Sequence, residues 1–137
     1  MKVYATIFGM MLLASAAMAD TVKWLSDYDK AVAQAKSEKK IVMVDVYTDW
    51  CGWCKKLDKD VYSNAKVSEK LSKDFVAVKI NPEKSAQNRQ LANKFGTRGY
   101  PHIVFVNADG KKISEVGGYI PADKFASKLD DVVDKAK

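Results

Sequence analysis

Apolar residues are concentrated in short runs that alternate along the chain with amphipathic segments. The run over residues 41–47 is nearly continuous, rich in β-branched and aromatic residues, and contains a single acid, Asp45. Runs of this length and composition are typical of strands buried within a sheet. Phe75–Ile80 and His102–Val106 have the same character, and a turn then leads to residues 112–116, which are predicted to form an antiparallel partner strand.

One helix is predicted before the first strand and one after it. Helical spacing of apolar residues predicts a helix that ends near Glu38, and Ser26 followed by Asp29 resembles a capping box at its start. A second amphipathic helix runs through Cys54 and is interrupted at residues 62–64.

Helices also follow in the second half of the chain. A short amphipathic segment contains Val67 and Leu71. Asn-Pro at residues 81–82 predicts the start of a helix that ends at Gly96. A last helix is predicted to begin near Pro121. Strands that alternate with helices and close with a hairpin predict an α/β fold. We expect one central mixed β-sheet flanked by helices on both faces.

The first nineteen residues have the pattern of a secretory signal peptide. Lys2 precedes an apolar stretch, and Ala-Met-Ala at residues 17–19 predicts cleavage before Asp20. A permanent membrane helix is the alternative, but the apolar run is short for a bilayer span, and no cysteine follows for a lipoprotein. The predicted organisation is a signal peptide, residues 1–19, and one domain, residues 20–137, of 118 residues, without stable membrane insertion after cleavage.

The charge pattern argues against nucleic acid as a partner. The net charge of +6 becomes +5 without Lys2, and the basic residues are scattered among acids. No arginine cluster interleaved with aromatic residues is present. Two cysteines and one histidine are too few for a four-ligand zinc site, and Lys55 stands where covalent haem attachment requires histidine. No metal or other cofactor is expected beyond a redox-active disulfide.

Both cysteines, Cys51 and Cys54, lie where the strand over residues 41–47 gives way to a helix. A thiol at a helix start is easier to ionise, because free backbone N–H groups and the helix dipole stabilise a thiolate. A structural disulfide is the alternative in an exported protein, but so small a loop constrains the unfolded chain little. The position favours redox chemistry, with Cys51 exposed as the nucleophile and Cys54, one turn further in, as the resolving thiol.

Asp45 lies six residues before Cys51, in the middle of the apolar strand. Burial would raise the pKa of its carboxyl group and would suit Asp45 to exchange a proton with Cys54. The alternative is an aspartate at a solvent-facing strand position. Asp49 is closer to the cysteines and is expected on the surface, where it weakly opposes thiolate formation.

The segment Val-Asp-Val-Tyr-Thr-Asp-Trp-Cys-Gly-Trp-Cys-Lys-Lys, residues 44–56, resembles the active-site segment of the thioredoxin superfamily. The closer likeness is to periplasmic members, such as the C-terminal domain of disulfide interchange protein D, and it extends from about Trp24 to the C-terminus. The resemblance implies a thioredoxin fold. It gives Cys51 and Cys54 the same two roles and places an acid at the position of Asp45.

The resemblance also implies a substrate-binding surface. Gly-Tyr-Pro at residues 99–101 looks like the cis-proline loop beside the dithiol, although an ordinary trans Pro101 is the alternative. Tyr100 would offer backbone groups to an extended substrate, and Trp50 would shield one side of the dithiol. Trp53 departs from the family, whose commonest cytosolic members have proline there. His102 also departs and is interpreted as a strand residue near the site, with a catalytic base as the alternative.

These features predict a periplasmic thiol–disulfide oxidoreductase that reduces disulfide-bearing client proteins. A reductase in an oxidising compartment must be recharged, so the family resemblance further implies a membrane electron donor. A dithiol oxidant or isomerase is one alternative. A non-catalytic binding module that holds clients at the surface around Tyr100 and Pro101 is the other.

Overall fold

The structure, a computed structural model, describes residues 21–137, so the predicted signal peptide lies outside the described residues. The elements follow in the order β1 (Trp24–Leu25), α1 (Tyr28–Glu38), β2 (Ile41–Val46), α2 (Gly52–Leu57), a π-helical turn (Asp58–Tyr62), α3 (Ala65–Asp74), β3 (Phe75–Ile80), α4 (Ala86–Lys94), β4 (His102–Val106), β5 (Lys112–Gly117) and α5 (Ala122–Lys135). None of the helices in this part of the chain combines the length and the hydropathy of a transmembrane segment.

The five strands form one mixed sheet in the order β1-β3-β2-β4-β5. The central strand, β2, is parallel to β3 on one side and antiparallel to β4 on the other. β1 extends the parallel edge, and β5 pairs with β4 as an antiparallel hairpin. The predicted α/β class, its mixed sheet and its closing hairpin are confirmed.

Both faces of the sheet are covered, so alternate residues of β2 enter two different cores. Met43 belongs to a core cluster with residues of α3, α5 and the segment after Cys54. The cluster includes Leu57, Val61, Tyr62, Val67, Leu71, Phe125 and Leu129. Val44 points to the opposite core, under α1 and α4, with Ala31, Ala35, Ala92 and Phe95. Side-chain alternation therefore places Asp45 on the face that α2, α3 and α5 cover.

One strand was not predicted, and two local predictions were wrong. The segment before α1 contains the short strand β1, which is too brief to show a period in the sequence. Asp27, rather than Ser26, caps α1, since its side chain accepts a hydrogen bond from the backbone N–H of Lys30 at 3.0 Å. Helix α4 begins at Ala86, not at residues 81–82, because Ser85 supplies the cap and residues 82–84 form a turn.

The predicted interruption at residues 62–64 is confirmed. Helix α2 passes into the π-helical turn, and Asn64 then caps α3 by accepting hydrogen bonds from the N–H groups of Lys66 and Val67. This arrangement leaves Tyr62 buried beside the sheet, on the same face as Asp45.

Candidate active site

Cys51 and Cys54 are joined by a disulfide at the start of α2, beyond the carboxyl end of β2, with their Cα atoms 5.3 Å apart. Cys51 has an extended backbone and is the N-cap residue of the helix. Its Sγ accepts a hydrogen bond from the backbone N–H of Cys54 at 3.1 Å. In the reduced protein this N–H would stabilise a Cys51 thiolate, because a hydrogen bond to the charged form favours ionisation.

The prediction that Cys51 is exposed was wrong for this disulfide form. Only 5% of Cys51 and 2% of Cys54 are accessible to solvent. The Cys51 sulfur is turned inward to cap α2 and is bonded to Cys54, so its neighbours cover it. Among the described residues, the exposed large apolar side chains are the flanking Trp50 and Trp53, at 68% and 58%.

Asp45 is buried, as the first of the two interpretations predicted, with 1% of its surface accessible. It is aligned with Lys79 in the parallel pairing of β2 with β3. The ammonium group of Lys79 donates a hydrogen bond to Oδ2 of Asp45 at 3.2 Å. The buried carboxylate therefore has a cationic partner from the neighbouring strand.

Lys79 also reaches the surface, where it donates to Oδ1 of the half-exposed Asp58 at 2.6 Å. Its ammonium lies over the rings of Trp24 and Tyr47, at 4.9 and 4.8 Å from their centroids. One lysine thus links the buried acid to the solvent side of the π-helical turn. This role of Lys79 is not predicted from the sequence, although Lys79 is the one charged residue of β3.

The surroundings of Asp45 raise the pKa of its carboxyl group. Burial is the largest cause and raises the pKa of Asp45, while the charge and hydrogen bond of Lys79 lower it, and the net result is a raised pKa. Among residues 21–137, the buried Oδ1 atom of Asp45 and the buried hydroxyl of Tyr62 have no partner within hydrogen-bond distance. Burial, followed by the charge of Asp45, raises the pKa of Tyr62 well above its usual value.

These features give Asp45 the properties that a buried proton carrier requires. A raised pKa makes the carboxylate of Asp45 a stronger proton acceptor than an exposed aspartate. It lies on the sheet face that the helix carrying Cys54 covers. Proton exchange between Asp45 and Cys54 remains a prediction.

On one side of the disulfide, Trp50 contacts Tyr100 edge to face, with the ring centroids 5.9 Å apart. The indole N–H of Trp50 donates a hydrogen bond to Oε1 of Glu83 at 2.8 Å. Asp49 lies at the surface, as expected, with its Oδ2 3.7 Å from Nζ of Lys84. The structure therefore brings Trp50 and Tyr100 together beside the cysteines.

On the other side, Trp53 packs against Tyr119, with the ring centroids 5.6 Å apart. The ammonium of Lys56 lies over both rings, at 5.4 Å from Trp53 and 5.1 Å from Tyr119. Trp53 is predicted from the sequence as a site residue, whereas Lys56 and Tyr119 are not. The lysine follows Trp53 by three residues on the helix, a spacing at which side chains meet.

The peptide bond between Tyr100 and Pro101 is cis. The carbonyl of Pro101 accepts a hydrogen bond from the N–H of Gly118 at 2.8 Å. Gly118 has a φ of +84°, a backbone conformation that favours glycine. This bond holds the loop after β5, which carries Tyr119, against the proline loop.

His102 is a buried residue of β4, and both of its ring nitrogens are engaged. Nδ1 lies 2.8 Å from the hydroxyl of Thr97, and Nε2 lies 2.7 Å from Oε2 of Glu115. Hydrogen bonds from Lys112 and then from His102 lower the pKa of Glu115. These contacts are those of a residue that fixes the loop before β4.

Residues 28–133 match the family model described as a thioredoxin-like domain. The chain belongs to the thioredoxin-like family. Its Cys-x-x-Cys disulfide, at the start of the helix after the central strand, marks this thioredoxin-like protein as a thiol–disulfide oxidoreductase.

The thioredoxin-like chain is 33% identical over 117 residues to the thiol:disulfide interchange protein DsbD of Pseudoalteromonas atlantica, an alignment that covers 83% of this chain and 20% of the relative. A similar protein of the same name from Klebsiella pneumoniae is 36% identical over 113 residues, with 80% and 18% covered. The chain thus spans about a fifth of the length of these relatives.

Solved structures confirm the thioredoxin fold. A thioredoxin from Thermus thermophilus superimposes with a TM-score of 0.74 at 26% identity, covering 83% of this chain and 88% of that one. The oxidised C-terminal domain of DsbD from Neisseria meningitidis superimposes with a TM-score of 0.65 at 22% identity, with 80% and 98% covered. The second likeness concerns the fold alone.

Proposed function

We propose that this thioredoxin-like protein reduces disulfide bonds of exported client proteins in the periplasm. The observation that carries the proposal is the Cys51–Cys54 disulfide at the start of α2, beside a sheet face that buries Asp45 against Lys79. The reaction needs no bound cofactor, because the cysteine pair itself carries the two electrons.

The reaction begins with the reduced protein. The Cys51 thiolate attacks one sulfur of the client disulfide, so that a Cys51–client mixed disulfide forms and the other client sulfur leaves as a thiolate that takes up a proton. Cys54 then attacks the Cys51 sulfur. The mixed disulfide breaks, the second client thiol is released, and the Cys51–Cys54 disulfide forms. Two electrons and two protons have passed to the client.

Asp45 is assigned to the second step. Cys54 must lose its proton before it can attack, and it is buried away from bulk water. An ionised Asp45 would accept this proton, since its pKa is raised by burial toward the range of a useful general base. The charge and the hydrogen bond of Lys79 limit this rise.

Three features support reduction over oxidation as the direction. Strong dithiol oxidants owe their potential to a stabilised reduced form. Here the residues between the cysteines, Gly52 and Trp53, are uncharged. Asp45 lies on the sheet face that α2 covers, and Asp49 lies two residues before Cys51. Negative charge opposes thiolate formation and so favours the disulfide form.

The periplasmic setting rests on the predicted signal peptide, residues 1–19. In that oxidising compartment the spent disulfide must be reduced again by another dithiol. We therefore include a membrane-bound electron donor among the partners, beside the disulfide-bearing clients.

Reduction of insulin, followed by its precipitation, tests the proposal. With dithiothreitol as the electron source, the wild-type protein should shorten the lag before precipitation, while the matched Cys51→Ser/Cys54→Ser variant should behave as dithiothreitol alone. Equal lags for the two proteins would contradict the proposal.

The direction is tested by equilibration against a glutathione series. Within the range from about −270 mV for thioredoxin to about −120 mV for a strong periplasmic oxidant, we expect a potential in the reducing half. A value near the oxidant end would reverse the proposed flow of electrons.

A further inference from the structure

The cluster of Trp53, Lys56 and Tyr119 forms a distinct surface beside the disulfide. Trp53 and Lys56 are exposed on α2, and Tyr119 is half-buried in the loop that follows β5. The ammonium of Lys56 is held over both rings rather than extended into solvent. Cation–π contact of this kind gives a long, mobile side chain a preferred position.

This surface is continuous with the reacting groups. Trp53 immediately precedes Cys54, and the loop with Tyr119 is tied to the proline loop by the hydrogen bond from Gly118 to Pro101. A segment that brings a cysteine to Cys51 and lies along the proline loop would therefore also pass the cluster. Much of the Trp53 surface is open to receive an apolar side chain.

The charges on the two sides of the disulfide differ. In residues 21–137, Lys56 has no carboxylate within salt-bridge distance, and neither has its neighbour Lys55. On the opposite side, Trp50 is bonded to a carboxylate, that of Glu83. The cluster thus offers an uncompensated positive charge framed by aromatic rings.

We propose that Trp53, Lys56 and Tyr119 select client segments that carry a carboxylate within a few residues of the reacting cysteine. The inference rests on the proposed reduction of client disulfides and adds the chemistry of the preferred client. An apolar client side chain packs on Trp53 while the client carboxylate pairs with Lys56. A basic client residue at the same place is repelled, which lowers the rate of encounter.

Peptides of equal length, each with one intramolecular disulfide, test this selection. Each peptide carries Asp, Asn or Lys at the second residue before and at the second residue after the attacked cysteine. The peptides are otherwise identical. At low ionic strength we expect kcat/KM for the Asp peptide to exceed that for the Lys peptide by about fivefold, with the Asn peptide between them. About 0.5 M NaCl should remove most of the difference.

Charge reversal at the cluster supplies the decisive comparison. In Lys56→Glu the order of the Asp and Lys peptides should invert. The matched variant Lys36→Glu makes the same charge change on the exposed last turn of α1 and should keep the wild-type order. Equal rates for all peptides on the wild-type protein, or an unchanged order in Lys56→Glu, would overturn the inference.

A binding measurement separates this inference from the proposed function. The same peptides with serine in place of both cysteines are titrated into the protein and followed by NMR. Tighter binding of the Asp peptide, with chemical-shift changes at Trp53 and Tyr119, supports the inference even if no peptide is reduced. Failure to reduce any disulfide peptide would contradict the proposed reductase function and not this inference. Equal affinities of the Asp and Lys peptides would overturn the inference.

Discussion

Lys79 donates a hydrogen bond at 3.2 Å to Asp45, its aligned neighbour on the adjacent parallel strand. The pair is asymmetric, because Asp45 is buried while Lys79 also reaches the half-exposed Asp58. Burial lowers the pKa of Lys79, but the two carboxylates together raise it above its usual value. The lysine therefore stays charged, and the ionisation of Asp45 is the variable quantity at this site.

Replacing Asp45 with asparagine tests its proposed role. In Asp45→Asn, attack on a client disulfide should keep its rate, while resolution of the mixed disulfide should slow, because Cys54 loses its proton acceptor. Single-turnover mixing of the reduced protein with a peptide disulfide, quenched with acid, separates the two steps. Equal slowing of both steps would contradict the assignment.

The same substitution should change how the stability of the protein depends on pH. Burial raises the pKa of Asp45 in the folded protein, so its contribution to stability is present below the ordinary carboxyl pKa and is lost as the pH rises through the raised pKa. Asp45→Asn removes this loss. Its thermal midpoint should exceed that of the wild-type protein at neutral pH by about 4 °C, and the gap should narrow in acid. A lower midpoint at neutral pH would contradict this interpretation.

Lys79 should set the pH at which resolution accelerates. Resolution requires ionised Asp45, so its rate rises with pH through the pKa of that carboxyl. Lys79→Gln removes the cation that lowers this pKa and should move the profile of resolution to higher pH, whereas Lys79→Arg should leave it near the wild-type position. An unshifted profile in Lys79→Gln would exclude the proposed coupling.

His102 should contribute to stability and not to proton transfer. His102→Ala leaves Thr97 and Glu115 without their shared partner and should lower the free energy of unfolding by about 1–3 kcal/mol. The pH profile of insulin reduction should keep its shape. A changed profile with unchanged stability would identify His102 as a catalytic base.

The signal-peptide prediction has a direct test. The mature protein should begin at Asp20, which N-terminal sequencing or the intact mass of protein from a periplasmic extract would show. Recovery of the full-length chain only from membranes would contradict both the cleavage and the proposed location.

The parts of the fold that could be predicted are those with strong local patterns. β3 and β4 have the predicted bounds, because nearly continuous apolar runs end at polar turns. β1 was not predicted, because two residues define no period. The predicted start of α4 is too early, because residues 82–84 form a turn that precedes the helix.

The site was predictable where its chemistry lies in one segment of sequence. Asp45 and the two cysteines are such a case. The contact of Asp45 with Lys79 depends on strand register, and that of Trp53 with Tyr119 depends on how a distant loop returns to α2. Neither relationship is encoded in spacing along the chain. The low exposure of Cys51 likewise reflects side-chain packing around the disulfide.

The central claim is that Cys51 attacks the client disulfide and Cys54 resolves the mixed disulfide. Trapping of clients in periplasmic extracts, read on non-reducing gels, distinguishes them directly. Cys54→Ser should accumulate mixed disulfides that disappear on reduction, since attack proceeds and resolution cannot. Cys51→Ser should accumulate few, because Cys54 lies a helical turn further in. Equal trapping by the two variants would contradict the account.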